Sequence, residues 1–124
     1  MKFQLDQPMG GNSITRVDAS QVWVNGQTHT GSVLVPWQGP VQAWGVQRFD
    51  DLQPLHFEQM LGIKPELVIF GSGARMRFAS SELYRSLIGA GIGMETMDLA
   101  AACRTYQVLA AEGRAVLAAL LIES

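Results

Sequence analysis

Leu67-Val68-Ile69-Phe70-Gly71-Ser72-Gly73-Ala74-Arg75 decides how this chain folds. Four consecutive apolar residues between Pro65 and Gly71 have no polar side to offer water, so the run suits a strand buried on both faces of a parallel sheet. A parallel neighbour demands a crossover, and the residues that follow provide one. Ser80 or Ser81 can cap a helix running to Ala90, with Leu83, Leu87 and Ala90 on one stripe and Gly91 placed to end it. Ile92 to Met97 suits a second strand, with Ile92, Met94 and Thr96 on one face. Asp98 then caps a second helix, in which Leu99, Ala102, Cys103, Tyr106 and Ala110 recur at three- and four-residue intervals and Gly113 supplies the stop. Ala115 to Ile122 closes the alternation as a third buried strand, so residues 66–122 form a β-α-β-α-β unit.

Upstream of that unit, residues 50–62 hold Leu52, Leu55, Phe57, Met60 and Leu61 at helical spacing, with Pro54 in the first turn of a short helix. Residues 21–45 are β-rich. Val22-Trp23-Val24 and a long run from Gln27 to Val35 flank Asn25-Gly26, the dipeptide best suited to a type I′ hairpin turn, and Val41 to Trp44 suits a third strand. Pro8, Gly10, Gly11, Asn12 and Ser13 mark residues 1–20 as an irregular lead-in. The expected fold is α/β: a single compact domain over 1–124, with a mixed, mostly parallel central sheet, helices on its faces, and a preceding β-hairpin region that extends or packs against the same sheet.

At 124 residues one hydrophobic core is the expectation, and 48% hydrophobic against 16% charged residues describes a chain with ample surface to bury. A net charge of -2 offers no electrostatic footprint for nucleic acid, which is held by clustered Lys and Arg. The longest strongly apolar run, from Ala115 to Ile122, falls far short of the roughly 20 residues that span a bilayer, so no membrane insertion is expected. Cys103 is the single cysteine, and the N-terminal residues lack a signal or transit pattern, which together point to the cytoplasm.

The segments Pro65 to Gly73, Arg77-Phe78, Gly91 to Asp98, Ala102-Cys103-Arg104-Thr105-Tyr106 and Glu112-Gly113-Arg114, taken together, resemble a bacterial and archaeal domain family of unknown function. That family also includes the mitochondrial respiratory complex I assembly factor 3 and an adipogenesis-associated cytosolic protein. The resemblance covers most of the chain from about Ser13 and is most specific in the glycine loop and the Cys103 to Tyr106 segment. It implies a compact α/β fold with a central mixed sheet, and an assembly-type role without enzymatic activity common to the family. Two positions depart from the family pattern: Gly71-Ser72-Gly73 stands where many members have Gly-Thr-Gly, and Gln107 stands where many have Asn.

In parallel sheets, ligands settle in the crevice at the carboxyl ends of the strands, where loops and helix N-termini present free amides. Gly71, Ser72, Gly73 and Arg75 lie at such an end, and Arg77, Arg104 and Thr105 join them if the helix after Asp98 starts at the same edge. Glycines that admit a close ligand, a hydroxyl and three guanidinium groups would suit a small anion. The same Gly-Ser-Gly also suits a tight turn, and the sequence leaves both readings open. The loop lacks the third glycine of a dinucleotide fingerprint and the Gly-Lys-Ser/Thr of a P-loop.

The remaining reactive side chains form no complete constellation. Cys103 falls on the apolar stripe of its helix, as a structural cysteine would. His29 and His56 lack metal-ligand spacing, so neither a metal nor a cofactor is expected. Asp50-Asp51 precede a short helix and suit capping, while Glu95 interrupts an apolar strand and suits an ion pair with Arg104 or Arg114. Trp23, Trp37 and Trp44 suit core or interface equally. The first functional expectation is accordingly a non-enzymatic binding or assembly-type module whose partner is a protein or a second copy of the chain. The alternative is a small-molecule or anion-binding protein using the Gly71 to Arg75 loop and Arg104.

Overall fold

Alternation with a period of two divides the strands of the main sheet between two cores, and each core recruits a different set of helices. The computed structural model describes residues 11–123. Its strands are β1 (Ile14–Val17), β2 (Val22–Val24), β3 (Gln27–His29), β4 (Val33–Pro36), β5 (Gln42–Ala43), β6 (Leu67–Gly71), β7 (Gly93–Met97) and β8 (Val116–Leu120). Its α-helices are α1 (Pro54–Glu58), α2 (Arg85–Gly89) and α3 (Leu99–Ala111). The main sheet has the order β5-β4-β8-β6-β7, and β1-β2-β3 form a separate antiparallel sheet. Within the main sheet β6 runs parallel to both β7 and β8, whereas β4 runs antiparallel to β8 and to β5.

Val33, Val35, Ile69, Val116, Ala118 and Leu120 face one side, where Leu99, Ala102, Cys103 and Tyr106 of α3 and Ile14, Val22 and Val24 of the small sheet cover them. Leu34, Val68, Phe70, Leu117 and Ala119 face the other, against Trp44, Phe57, Met60 and Leu87. The described residues thus form one α/β domain with a mixed central sheet, its parallel part being β8-β6-β7.

Right-handed crossovers explain the two-sided cover. The chain steps from β6 through α2 to β7, then reverses direction through α3 to β8 on the far side of β6. Reversal with unchanged handedness puts the two helices on opposite faces, which opens the connections apart at the carboxyl ends of β6 and β7.

Several local expectations change. Residues 1–10 of the expected lead-in lie outside the described residues, and Ile14–Val17 within it is a strand, because its β-branched residues pair antiparallel with β2 across a bulge between Ile14 and Arg16. The long run from Gln27 to Val35 breaks after His29. Gln27-Thr28-His29 completes the I′ hairpin, with Asn25 and Gly26 at φ 55° and 82°, whereas Val33-Leu34-Val35 is apolar on both sides and enters the central sheet.

Residues 50–62 hold only the short α1 between two 3-10 turns, Phe49–Asp51 and Gln59–Ile63; Pro54, without an N–H, sets the start of the helix. Its first turn is closed by His56 Nδ1, which accepts the Gln53 N–H at 2.9 Å. The helix expected from Ser80 shrinks to Arg85–Gly89, and neither Ser80 nor Ser81 caps it, because Leu83 and Tyr84 first turn inward against the second core. Asp98 does cap α3, its carboxylate accepting the Ala101 N–H at 2.9 Å.

Candidate functional site

The carboxyl ends of β6 and β7 bring together the glycine loop and the start of α3. Gly71 is there because the helix lies directly on the strand. A Cβ at this position would stand 2.9 Å from the Cβ of Ala102 and 3.2 Å from a methyl of Leu120, too close for any side chain without moving α3. The first glycine of the loop is a packing requirement of the β6–α3 contact.

Ser72 is fully buried, and each of its polar groups has a partner within the fold. Its N–H donates to the Met97 carbonyl at 2.9 Å, its hydroxyl donates to the Arg75 carbonyl at 2.9 Å, and the same oxygen accepts the Arg77 N–H at 2.8 Å. Its carbonyl accepts from Arg77 Nη2 at 2.6 Å and Nε at 3.2 Å. Gly73, at φ +106°, leaves the space that the guanidinium fills: a Cβ there would meet Arg77 Nη2 at 2.7 Å.

Arg77 continues outward as a clamp. Nη2 also pairs with Glu123 Oε1 at 2.7 Å, and the guanidinium carbon stands 4.6 Å from the centre of the Phe49 ring. The other Glu123 oxygen accepts the Phe49 N–H at 2.8 Å. Burial pushes the Glu123 carboxyl up, but the Phe49 N–H and the Arg77 guanidinium together outweigh it and hold the group below its ordinary value. One side chain therefore ties the loop, the turn at Phe49 and the segment after β8 together.

The start of α3 is similarly occupied. Gly73 accepts the Leu99 N–H at 2.7 Å, while Asp98 accepts from Ala101 through its carboxylate and from Ala102 through its carbonyl at 2.9 Å. A carboxylate already stands where the helix dipole would favour a bound anion. A cleft of about 230 Å³ does open beside it, between Asp18-Ala19 of the β1–β2 turn, Gly73-Ala74 and Leu99, but its charged rim is acidic.

Among the expected site residues, Gly71, Ser72, Gly73 and Arg77 converge, and Arg75 contributes its carbonyl while its side chain is exposed. Thr105 hydrogen-bonds to Met97 Sδ at 3.2 Å, and Arg104 is exposed. Among the described residues, no hydrogen bond or ion pair joins Arg104 or Thr105 to the loop. Cys103 is buried, and its thiol is pushed up to about 12 by burial despite Arg104 beside it, as befits a core residue. Glu95 pairs with neither expected arginine: Arg114 is engaged by Glu66 at 3.2 Å. Trp44 is core, edge-on to Phe57 and Phe70, whereas Trp23 is half-buried under Arg16 and Trp37 packs at the margin of the first core.

A second polar cluster, not anticipated from the residues, lies on the other side of α3. The Tyr106 hydroxyl stands 2.8 and 2.9 Å from the carbonyls of Asn12 and Pro36, and Asn12 Nδ2 donates to Pro36 and Gly39. Gln107 accepts the Ile14 N–H at 2.6 Å, which ties α3 to β1. Burial pushes the Tyr106 phenol up, away from any acid-base role near neutrality. Asn12 is a turn former by composition; only a buried partner makes it a joint between the sheets.

This architecture recurs in known proteins. A crystal structure of a protein from Bordetella parapertussis superposes with a TM-score of 0.86 at 36% identity, covering 92% of this chain and 98% of that one. An uncharacterised protein of Rhodobacter capsulatus is 35% identical over 104 residues, 79% of this chain and 74% of its own. The NADH dehydrogenase (ubiquinone) 1 alpha subcomplex assembly factor 3 of Bos taurus is 32% identical over 100 residues, again 79% of this chain, so the match spans about half, 54%, of that relative's length. No helix among the described residues is long and apolar enough to cross a membrane. Residues 14–121, from the first residue of β1 to just past the end of β8, match the model of the "Protein of unknown function (DUF498/DUF598)" family, and the chain belongs to that family.

Proposed function

We propose that this chain is a non-enzymatic binding module of the assembly type, acting on a protein partner in the cytoplasm. The observation that carries the proposal is the contrast within Met76-Arg77-Phe78. Arg77 turns inward to Ser72 and Glu123, while Met76 and Phe78 on either side are 53% and 71% exposed. A large aromatic held in water on a loop clamped from within is suited to anchoring a partner, since its contact area is presented at little further ordering cost. The hydroxyl and guanidinium that would serve a ligand are engaged inside the fold, which removes the main support for a catalytic or anion site there. The assembly-factor name of the bovine relative agrees with this reading.

The test is native co-purification with the full chain and with a Met76→Ser, Phe78→Ser double variant. A stoichiometric partner captured by the wild type and lost by the variant, at an unchanged thermal midpoint, is the expected result. Failure of the wild type to retain any partner, or equal capture by the variant, overturns the proposal. Stabilisation by phosphate, nucleotides or carboxylates that disappears in Arg75→Ala and Arg104→Ala would establish the anion-binding alternative instead.

A further inference from the structure

The main sheet ends on one side in β5, two residues long, and on the other in β7, five residues in unbroken register with β6. β7 has β6 as its one neighbour among the described strands. The Gly93 N–H donates to the Glu66 carbonyl and the Met97 carbonyl accepts from Ser72, so the peptide groups of Gly93, Glu95 and Met97 point toward β6. Those of Met94 and Thr96 point the other way. Their two N–H and two C=O groups form a short, regular ladder with no proline, bulge or covering strand among the described residues to blunt it.

We infer that this edge of β7 receives an extended segment of a partner protein as a sixth strand, with a lysine or arginine of that segment facing Glu95. The inference goes beyond the binding-module reading by naming a mode of attachment at a different surface. Antiparallel addition would let two partner residues exchange both backbone hydrogen bonds with Met94 and Thr96. The residue between them would oppose Glu95 in a non-hydrogen-bonded pair, where the Cα atoms approach to about 4.5 Å and side chains are closest.

Glu95 selects the occupant. It is exposed and has no ion-pair partner among the described residues, Arg114 being paired with Glu66. A second copy of the chain could satisfy all four outward groups only in the two-fold register that sets Met94 opposite Thr96, and that register places Glu95 directly opposite Glu95. Like charges directly opposite destabilise a strand pair, whereas a cation at that position is attracted. The edge is thus complementary to a basic strand and opposed to itself.

The probe is the peptide Thr-Val-Thr-Lys-Thr-Val-Thr, its Lys→Glu counterpart, and a version N-methylated at the two residues facing Met94 and Thr96. Backbone NMR of the full chain is expected to show the Met94 and Thr96 amides shifting, and their hydrogen exchange slowing, with the lysine peptide. The glutamate peptide should bind about three- to tenfold more weakly, the N-methylated one should leave both amides unmoved, and Glu95→Lys should reverse the charge preference. Protection of these amides before any peptide is added, indifference to the peptide's charge, no response to the lysine peptide, or a wild-type dimer joined through β7 would each overturn the inference. If the edge ignores every peptide while the Met76, Phe78 variant still loses its partner, the strand-addition inference fails and the binding-module reading stands.

Discussion

Ser72 and Arg77 bind each other twice: the serine hydroxyl accepts the arginine N–H at 2.8 Å, and the serine carbonyl accepts the guanidinium at 2.6 Å. These bonds, all donated by Arg77, close a five-residue step of chain into a ring at the carboxyl end of β6. It turns a loop with the composition of a ligand cradle into a fixed mount for the residues on either side of Arg77.

Ser72→Ala leaves the Arg77 N–H of a part-buried hydrogen bond without its acceptor, next to a residue that is itself fully buried. An unpaired buried donor costs about 1–3 kcal/mol. Urea denaturation should show the midpoint falling accordingly with an unchanged slope, whereas a merely connecting turn would lose about 0.5 kcal/mol or less.

The glycines of the loop should separate by mechanism. Gly71→Ala forces the β6–α3 contact apart, because its Cβ would stand 2.9 Å from Ala102 and 3.2 Å from Leu120, and overpacking of this kind costs about 1–3 kcal/mol. Gly73→Ala combines φ +106° with a 2.7 Å encounter with Arg77 Nη2, and a strained backbone of this kind also costs about 1–3 kcal/mol. The control is Gly62→Ala, where a Cβ meets nothing and φ is ordinary, so thermal unfolding should move little.

The Glu123 clamp should appear in the acid limb of stability. A carboxyl held below its ordinary value of 4.5 binds a proton less readily in the folded chain than in the unfolded one. Its contribution is therefore present above that value and is lost as pH falls through the lower folded pKa. Denaturation midpoints across that acid range should fall less steeply for Glu123→Gln than for the wild type, and a parallel pair of curves would rule out the carboxylate's part in the clamp.

Much of the fold was legible because its signals are local. Asn25-Gly26 imposes the hairpin through backbone conformation, Asp98 caps α3 by reaching three residues forward, and the three- and four-residue spacing of Leu99, Ala102, Cys103 and Tyr106 marks the buried face of that helix. Where tertiary packing competed with propensity, the reading failed: Leu83 and Tyr84 turned inward and shortened α2, and Val33 to Val35 left the hairpin for the sheet that could cover both of its sides.

The candidate site divides in the same way. The residues themselves placed Gly71, Ser72 and Gly73 at the carboxyl end of a buried parallel strand, since an apolar run ending in glycine permits little else. That the serine hydroxyl and the arginine hydrogen-bond to each other is a feature of the tertiary structure alone. The partner that completes the Arg77 clamp is Glu123, 46 residues away, and the obstacle that requires Gly71 is Ala102, on a helix that returns over the strand only after β7 has been laid down. Backbone propensity and side-chain periodicity act over a few residues, whereas charge pairing and close packing depend on which surfaces the completed chain brings together.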